Sequence, residues 1–274
     1  MVDYCQQRFS VSERRACRVV GIARAVNAYR SRRRPYTELR IRMREIAASR
    51  MRYGYRKIYV LLRREGYSLG KQLMRRLYRE EGLALRHIAS RRRSRARGTR
   101  PERRPATRAN AAWSLDFVAD QLVDGTRFRM LTVIDVFTRE CVAIQVGQRL
   151  NGNDVVVSLE AASRERGAPQ RVYCDNGSEF TSQVFDMWAY RRGVTIEFSR
   201  PGKPTDNAFV ESFNGTLRDE CLNAHWFTSL RDAAAQIEAW REDYNVSRPH
   251  RALGDLSPAE FARQNRDLKV ESGK

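Results

Sequence analysis

Three runs, "AWSLDFVAD" (112–120), "RFRMLTVIDVF" (127–137) and "RECVAIQVG" (139–147), are rich in β-branched and aromatic residues and are joined at Asp124-Gly125 and Thr138-Arg139. They predict a three-stranded antiparallel meander. Downstream, "NGNDVVVSLEAASRERG" (151–167) reads as an amphipathic helix and "QRVYC" (170–174) as a short strand. "TSQVFDMWAYRRG" (181–193) then reads as a helix stopping at Gly193, and "VTIEF" (194–198) as another strand. The loop "SRPGKPTD" (199–206) leads into a helical "NAFVESFNGTLRDECL" (207–222), and "SLRDAAAQIEAWREDYN" (229–245) is a last helix before "RPHRALGDLSPAEFARQ". The succession predicts an α/β fold, a sheet covered by helices on its faces.

Upstream the texture differs. Residues 1–108 hold 32 Lys and Arg against 8 Asp and Glu, a net of +24, whereas residues 109–274 hold 20 against 24. An excess of cations confined to one half points to a polyanionic partner, because each neutralised phosphate releases counterions. "FSVSERRACRVVGIARAVNAYR" (9–30) reads as two short helices, with Ser10 and Glu13 at capping-box spacing and Gly21 between them. Three helical pieces follow from Tyr36 to Leu85. Leu39, Met43 and Ile46 share a face, Gly66 stops the second piece, and Ser68 and Gly82 bound the third. The arginines lie off the apolar stripe, so Arg52, Arg56, Lys57, Lys71, Arg75 and Arg76 are candidate DNA contacts. Tyr53 and Tyr55 either touch DNA or cap the small core. Residues 86–110 hold ten arginines and one acid, with Pro101 and Pro105 breaking any helix. This is expected to be a linker, disordered without DNA, whose Arg91, Arg92 and Arg93 contact the phosphate backbone.

Five scattered cysteines, with no C-x-x-C pair and three histidines, support neither a disulfide framework nor a zinc site. No unbroken apolar stretch suits a signal peptide or a membrane span, so a cytoplasmic, nucleoid-associated protein is expected.

Three acids stand out by position. Alternation from Leu115 and Phe117 turns Asp116 to the opposite face of the first strand. Asp175 follows the fourth strand in "VYCDNGSEF" (172–180), where Asn176-Gly177 supplies a turn, and Glu211 lies one turn into its helix. If the first and fourth strands are neighbours, Asp116 and Asp175 face each other. Carboxylates converging without His or Cys suit two Mg²⁺, which prefer oxygen ligands and neutralise charge in phosphoryl transfer. Spacing alone has little weight: about three pairs of acids 36 positions apart are expected by chance. On the Glu211 helix, Asn214 and Arg218 share the face of the acid, so Arg218 either clamps a phosphate or is a plain surface partner. Asp120 and Asp124 read as turn formers and Asp206 as a helix cap. Asp135 is either a hydrogen-bonding partner of the site or a turn cap, and Glu179 suits a helix N-terminus.

"WSLDF", "YCDNGSEF" and "PGKPTDNAFVESFNGTLRDECLN" resemble the three catalytic blocks of the retroviral-integrase-like DDE transposases, closest to the second-reading-frame product of the IS-three family of bacterial insertion sequences. "RPHRALGDLSPAEF" resembles that family's carboxyl end, and "YGYRKIYVLLRREGYSLGKQLMRRLYREEGL" its helix-turn-helix-like segment. The resemblance implies a ribonuclease-H-like core over 111–262 after a helix-turn-helix-like module at 35–85, while the helix pair suits a further helix-turn-helix-like segment at 1–34, the linker spans 86–110 and a tail is expected at 263–274. It implies that Asp116, Asp175 and Glu211 bind two Mg²⁺, with Mn²⁺ able to substitute, and the 35 residues between the last two match the family's spacing. Arg218, seven positions after the glutamate, is implied to hold the element's end, and Asn214 and Lys203 are further candidate DNA contacts. The implied activity is binding of terminal inverted repeats, 3′-end cleavage and strand transfer into target DNA. A homo-oligomer on DNA is implied, as is action with, or fused to, an upstream-frame protein. The alternatives are a catalytically silent DNA-binding regulator and a less specific ribonuclease-H-like nuclease.

Overall fold

The computed structural model describes residues 1–29, 34–85, 105–200 and 207–271, and divides into two compact units, Met1–Ile41 and Arg42–Lys274. Arg91, Arg92, Arg93, Lys203 and Asp206 lie outside the described residues. No described helix is long and apolar enough to cross a membrane.

The first unit holds α1 (Val2–Phe9), α2 (Glu13–Val20) and α3 (Arg24–Ala28), so one helix precedes the expected pair. The expected capping residue is displaced. Ser10 ends α1 in a left-handed conformation, and Ser12 caps α2 by accepting the Arg15 N–H at 3.4 Å. An Asx- or Ser-type cap needs only a side-chain oxygen within reach of the first turn, and Ser10 and Ser12 both offer one in sequence. Gly21 stops α2 at φ 75°, a conformation that suits glycine.

α4 (Thr37–Ser49), α5 (Tyr55–Arg64) and α6 (Lys71–Glu80) are the three helices expected next, and Leu39, Met43 and Ile46 are buried. α6 begins at Lys71 behind Gly70, three residues beyond the start expected at Ser68.

In the second unit β1 (Trp113–Gln121), β2 (Arg127–Asp135) and β3 (Cys141–Gly147) form the antiparallel meander. α7 (Gly152–Arg166), opened by an Asn151–Asp154 capping box, leads to β4 (Arg171–Cys174), and α8 (Gln183–Arg192) leads to β5 (Thr195–Phe198). Both added strands run parallel to β1, giving the order β3-β2-β1-β4-β5. Then come α9 (Ala208–Glu220), α10 (Leu230–Val246) and α11 (Pro258–Glu271). α11 starts at Pro258, where the Ser257 hydroxyl accepts the Glu260 N–H at 3.3 Å, and its backbone runs through residue 263, the expected start of the tail, to Glu271.

β1 is central, and its alternation sorts the two layers. Trp113 and Leu115 enter the core beneath α7 and α8, while Val118 enters the core beneath α9 and α10. Each large side chain so buried contributes about 1.5–3 kcal/mol. A one-residue slip would swing Asp116 into the apolar layer, so the register is strongly specified. The edge strand β3 is closed by Asn245 of α10, whose amide exchanges hydrogen bonds with the Cys141 backbone at 2.8 and 2.9 Å.

The α5 region packs on this core through charge. Lys57 Nζ meets Glu220 at 2.7 Å, and Arg248 grips the same carboxylate at 2.8 and 2.9 Å. Arg50 pairs with Asp243 at 2.5 Å, and Arg64 reaches the Ser247 and Asp255 carbonyls and the Glu260 carboxylate. Tyr53 is buried beneath Lys57, whose ammonium lies 4.5 Å from the ring centroid. Tyr53 thus takes the core-capping alternative, and Lys57, a candidate DNA contact, is paired within the protein.

Candidate active site

Asp116 stands in β1 on the face toward α9, as its alternation requires. Its Oδ1 accepts the Phe117 N–H and its Oδ2 the Asn214 amide, each at 2.8 Å. Thr132, the cross-strand partner of Asp116, is fully buried and donates to Asn214 Oδ1 at 2.9 Å. That bond fixes which end of the Asn214 amide turns to Asp116. Asn214 is itself buried, and the structure gives it this carboxylate as its partner rather than an exposed DNA-facing position.

Asp175 arrives from the other direction. β1 and β4 pair Ser114 with Tyr173, so continuing the parallel register two residues brings Asp116 level with Asp175. Beyond Cys174 the strand stops because Asp175 Oδ1 accepts the Gly177 N–H at 2.9 Å while Asn176 donates to the Ser199 carbonyl at 3.0 Å. A Cβ on Gly177 would sit 3.0 Å from Asp175 Oδ1 and 3.2 Å from Glu179 Oε2, so any larger residue would push these carboxylates aside by a few tenths of an ångström. Glu179 also bridges to Arg129, whose guanidinium lies 3.8 Å from the Phe117 ring centroid. It thus ties the turn to the sheet, although it had been expected at a helix N-terminus and α8 begins only at Gln183.

Glu211 is exposed in the first turn of α9, between two asparagines that hold the helix on the sheet. Asn207 donates to the Leu115 carbonyl at 2.8 Å and accepts from Ser114, and Asn214 binds Asp116 two turns later. Asn207, Glu211 and Asn214 share a helical face, so the glutamate is directed along β1. Asn207 was not singled out from the sequence. Its position just before a helix suggests a cap, yet its side chain makes no cap bond and reaches across to β1 instead.

The charges interact. Burial pushes the Asp116 carboxyl up, and the Asp175 charge adds to this, against the lowering effect of the Phe117 N–H, the Asn214 amide and Arg218. Burial also raises Glu211, with the Asp116 charge as the second cause. Repulsion among carboxylates of this kind is what a bound divalent cation offsets, and their all-oxygen donor set suits Mg²⁺. Among the described residues no three His, Cys, Asp or Glu side chains close around one point as a finished metal cage. Arg218, on the exposed side of α9, donates to the Ala119 carbonyl at 3.3 Å.

The competing acids are structural. Asp135 is fully buried and accepts the Asn110, Phe137 and Thr138 N–H groups at 2.7–2.9 Å, the turn-capping alternative. Asp124 holds the β1–β2 turn by accepting the Thr126 N–H, whereas Asp120 belongs to β1 itself. All five cysteines are free thiols, and burial pushes Cys221 up to about 12. Of the candidate DNA contacts, Arg52, Arg56, Lys71 and Arg75 are exposed, and Arg76 lies 3.5 Å from Glu80.

Profiles described as "Integrase core domain" match residues 106–204 and 192–258, and one described as "HTH-like domain" matches residues 35–93. The 31.7 kDa protein of insertion element IS407 from Burkholderia multivorans is 47% identical over 265 residues, covering 95% of this chain and 94% of that protein. The transposase of insertion sequence element IS904 from Lactococcus lactis is 33% identical over 165 residues, covering 58% of this chain and 64% of that protein. A chain in the cryo-electron microscopy structure of the simian T-cell lymphotropic virus intasome, in complex with PP2A regulatory subunit B56 gamma, shares the fold. It has a TM-score of 0.53 at 15% identity over 80% of this chain and 74% of that one.

Proposed function

The chain belongs to the IS-three family of insertion-sequence transposases, polynucleotidyl transferases with an integrase core, and from that premise we propose that it binds its element's terminal inverted repeats, cleaves the 3′ ends and transfers them to target DNA. The observation that carries this reading is that the parallel β1–β4 register brings Asp116 level with Asp175, whose charge helps to raise the Asp116 carboxyl, while the Asp116 charge in turn helps to raise that of Glu211.

Bound Mg²⁺ ions, two of them and replaceable by Mn²⁺, supply neutralisation of charge on the attacking and leaving oxygens. Asp116, Asp175 and Glu211 would hold them. Asn214 restrains Asp116 through Oδ2 and the turn at Gly177 restrains Asp175 through Oδ1, so two carboxylates keep fixed orientations while the DNA enters. Arg218, beside Asp116, clamps the scissile phosphate's neighbourhood. In cleavage a water oxygen bonds to phosphorus as the P–O bond to the 3′ oxygen breaks. In transfer the freed 3′ hydroxyl attacks a target phosphate and displaces its 3′ oxygen.

Residues 35–85 form the proposed DNA-binding module, with Arg52, Arg56, Lys71, Arg75 and Arg76 as contacts. Arg91, Arg92, Arg93 and Lys203 add backbone contacts from outside the described residues. Pairing two element ends calls for a homo-oligomer on DNA, and an upstream-frame protein is a further partner of the reaction.

The test is Asp175→Asn, assayed on duplex DNA carrying an element end. Cleavage and joining with Mg²⁺ should be lost while end binding persists. A fully active variant refutes the assignment, and a wild-type protein that binds ends but never nicks them favours a silent DNA-binding regulator.

A further inference from the structure

The cations of the α5–α6 region fall into two sets. Arg50, Lys57 and Arg64 recur every seven residues, and all three are neutralised by the catalytic core: by Asp243, by Glu220, and by Glu260 with two backbone carbonyls. A second set lies elsewhere on the same helices. Arg56 donates to the Tyr55 hydroxyl at 3.3 Å, and Lys71 lines the same cleft as that ring. That tyrosine's hydroxyl is held below the ordinary phenol range by the Arg56 hydrogen bond first and then by the charges of Arg56, Arg75 and Lys71.

The docking cations determine what this second set faces. Arg64 binds the Ser247 and Asp255 carbonyls, and so holds the 247–256 segment against α5. The segment is braced internally: His250 and Leu256 pair as an isolated bridge, and Leu253 is buried. Arg251, exposed between them, therefore stands across a cleft of about 290 Å³ from Tyr55, Arg56, Tyr59 and Lys71, with Asp255 as the one acid on its wall. Among the described residues Lys71, Arg75 and Arg251 form no ion pair. Several unneutralised cations held near one another repel, and a chain of phosphates relieves that repulsion with a release of counterions.

We propose that this cleft is a composite site for the phosphate backbone of duplex DNA, in which Arg251 of the catalytic core joins Arg56 and Lys71 of the helical module. Arg75 extends the same surface, and the Tyr55 and Tyr59 hydroxyls donate to phosphate oxygens. One stretch of backbone then touches both parts of the protein, which sets the register of the bound duplex relative to the core that cuts it. The proposal rests on the reading of DNA as the partner and adds the residues and the place.

The experiment measures binding of the full chain to duplex DNA over a range of salt concentrations. Each phosphate contact contributes a slope of about 0.9 in log K against log salt. Arg251→Gln should flatten the slope by about 0.9 and weaken binding several-fold, and Arg251→Gln with Lys71→Gln should flatten it by about 1.8. Arg251→Lys should restore the slope, and far-ultraviolet circular dichroism and thermal unfolding of all variants should match wild type. An unchanged slope in a folded Arg251→Gln protein overturns the cleft, and so does a loss that Arg251→Lys fails to restore. If Asp175→Asn is inactive while Arg251→Gln keeps the wild-type slope, the transposase reading stands and the cleft alone falls. If the wild-type protein shows no salt-dependent duplex binding, both fall.

Discussion

Replacing Glu220 by Gln should unclamp the helical module from the catalytic core, and the structure sets the size of the effect. The Glu220 side chain is 9% exposed, and those of its partners Arg248 and Lys57 are 11% and 27% exposed. Glutamine keeps the shape but removes the charge, leaving two cations beside each other with no counter-charge. Breaking a buried pair in this way costs about 3–5 kcal/mol, and the partial exposure of Lys57 lowers that to roughly 2–4 kcal/mol. Thermal unfolding at pH 7 should show a midpoint lowered by roughly 5–15 °C. The control Glu45→Gln breaks an exposed pair with Arg42 and should cost under about 0.5 kcal/mol.

The pH dependence gives the sharper check. Burial acts to raise the Glu220 carboxyl, but the hydrogen bonds and charges of Arg248 and Lys57 outweigh it and hold the group below its ordinary 4.5. A depressed acid stabilises the fold above its unfolded value, and that stabilisation is lost as pH falls through the folded value. The wild-type and Glu220→Gln stability curves should therefore run parallel from about pH 5 to about pH 8 and converge below about pH 4. Burial lowers Lys57, and the Arg248 charge lowers it further, against the raising effect of Glu220. Without Glu220 the variant should recover stability as the solution is made alkaline and Lys57 loses its proton. A loss under about 1 kcal/mol at pH 7, or a gap that persists unchanged at pH 3, would refute the ion-pair account.

Two further substitutions address the site itself. Asn214→Leu removes the amide that restrains Asp116 and leaves the Thr132 hydroxyl with the Asp116 carbonyl as its remaining acceptor, so cleavage should fall about 10–100-fold with a raised Mg²⁺ requirement while end binding is unchanged. Equal loss of binding and cleavage would instead make Asn214 a DNA contact. Gly177→Ala forces a methyl group to 3.0 Å from Asp175 Oδ1, so cleavage should fall with little change in thermal stability, and wild-type activity would show that the turn has slack.

The meander was readable because strand alternation and turn residues are local signals. So was the pairing of Asp116 with Asp175, since the parallel register of β1 and β4 follows from a fold in which the first and fourth strands are neighbours. Asn214 could be aligned with Glu211 by helical spacing, but nothing local identified Asp116 as its acceptor, which lies 98 residues away. The docking cations were harder still. Lys57 and Arg56 are adjacent and alike in sequence, and what separates them is Glu220, 163 positions downstream of Lys57. An excess of cations can signal DNA, but it does not reveal which members of the set the protein has already neutralised.

Helix α9 joins these observations. Its first residues are held on β1 by Asn207, its middle by Asn214 against Asp116 and Thr132, and its end by Glu220 between Lys57 and Arg248. Among the described residues Glu211 makes no such bond, and it depends on the rigidity of the helix to stay beside Asp116. Rigidity over four turns needs both ends fixed, since terminal turns otherwise fray. The same carboxylate that docks the DNA-binding module therefore also anchors the helix bearing the third acid. A helical module drawn away from the core would loosen the end of α9, and a module seated on the core would hold it.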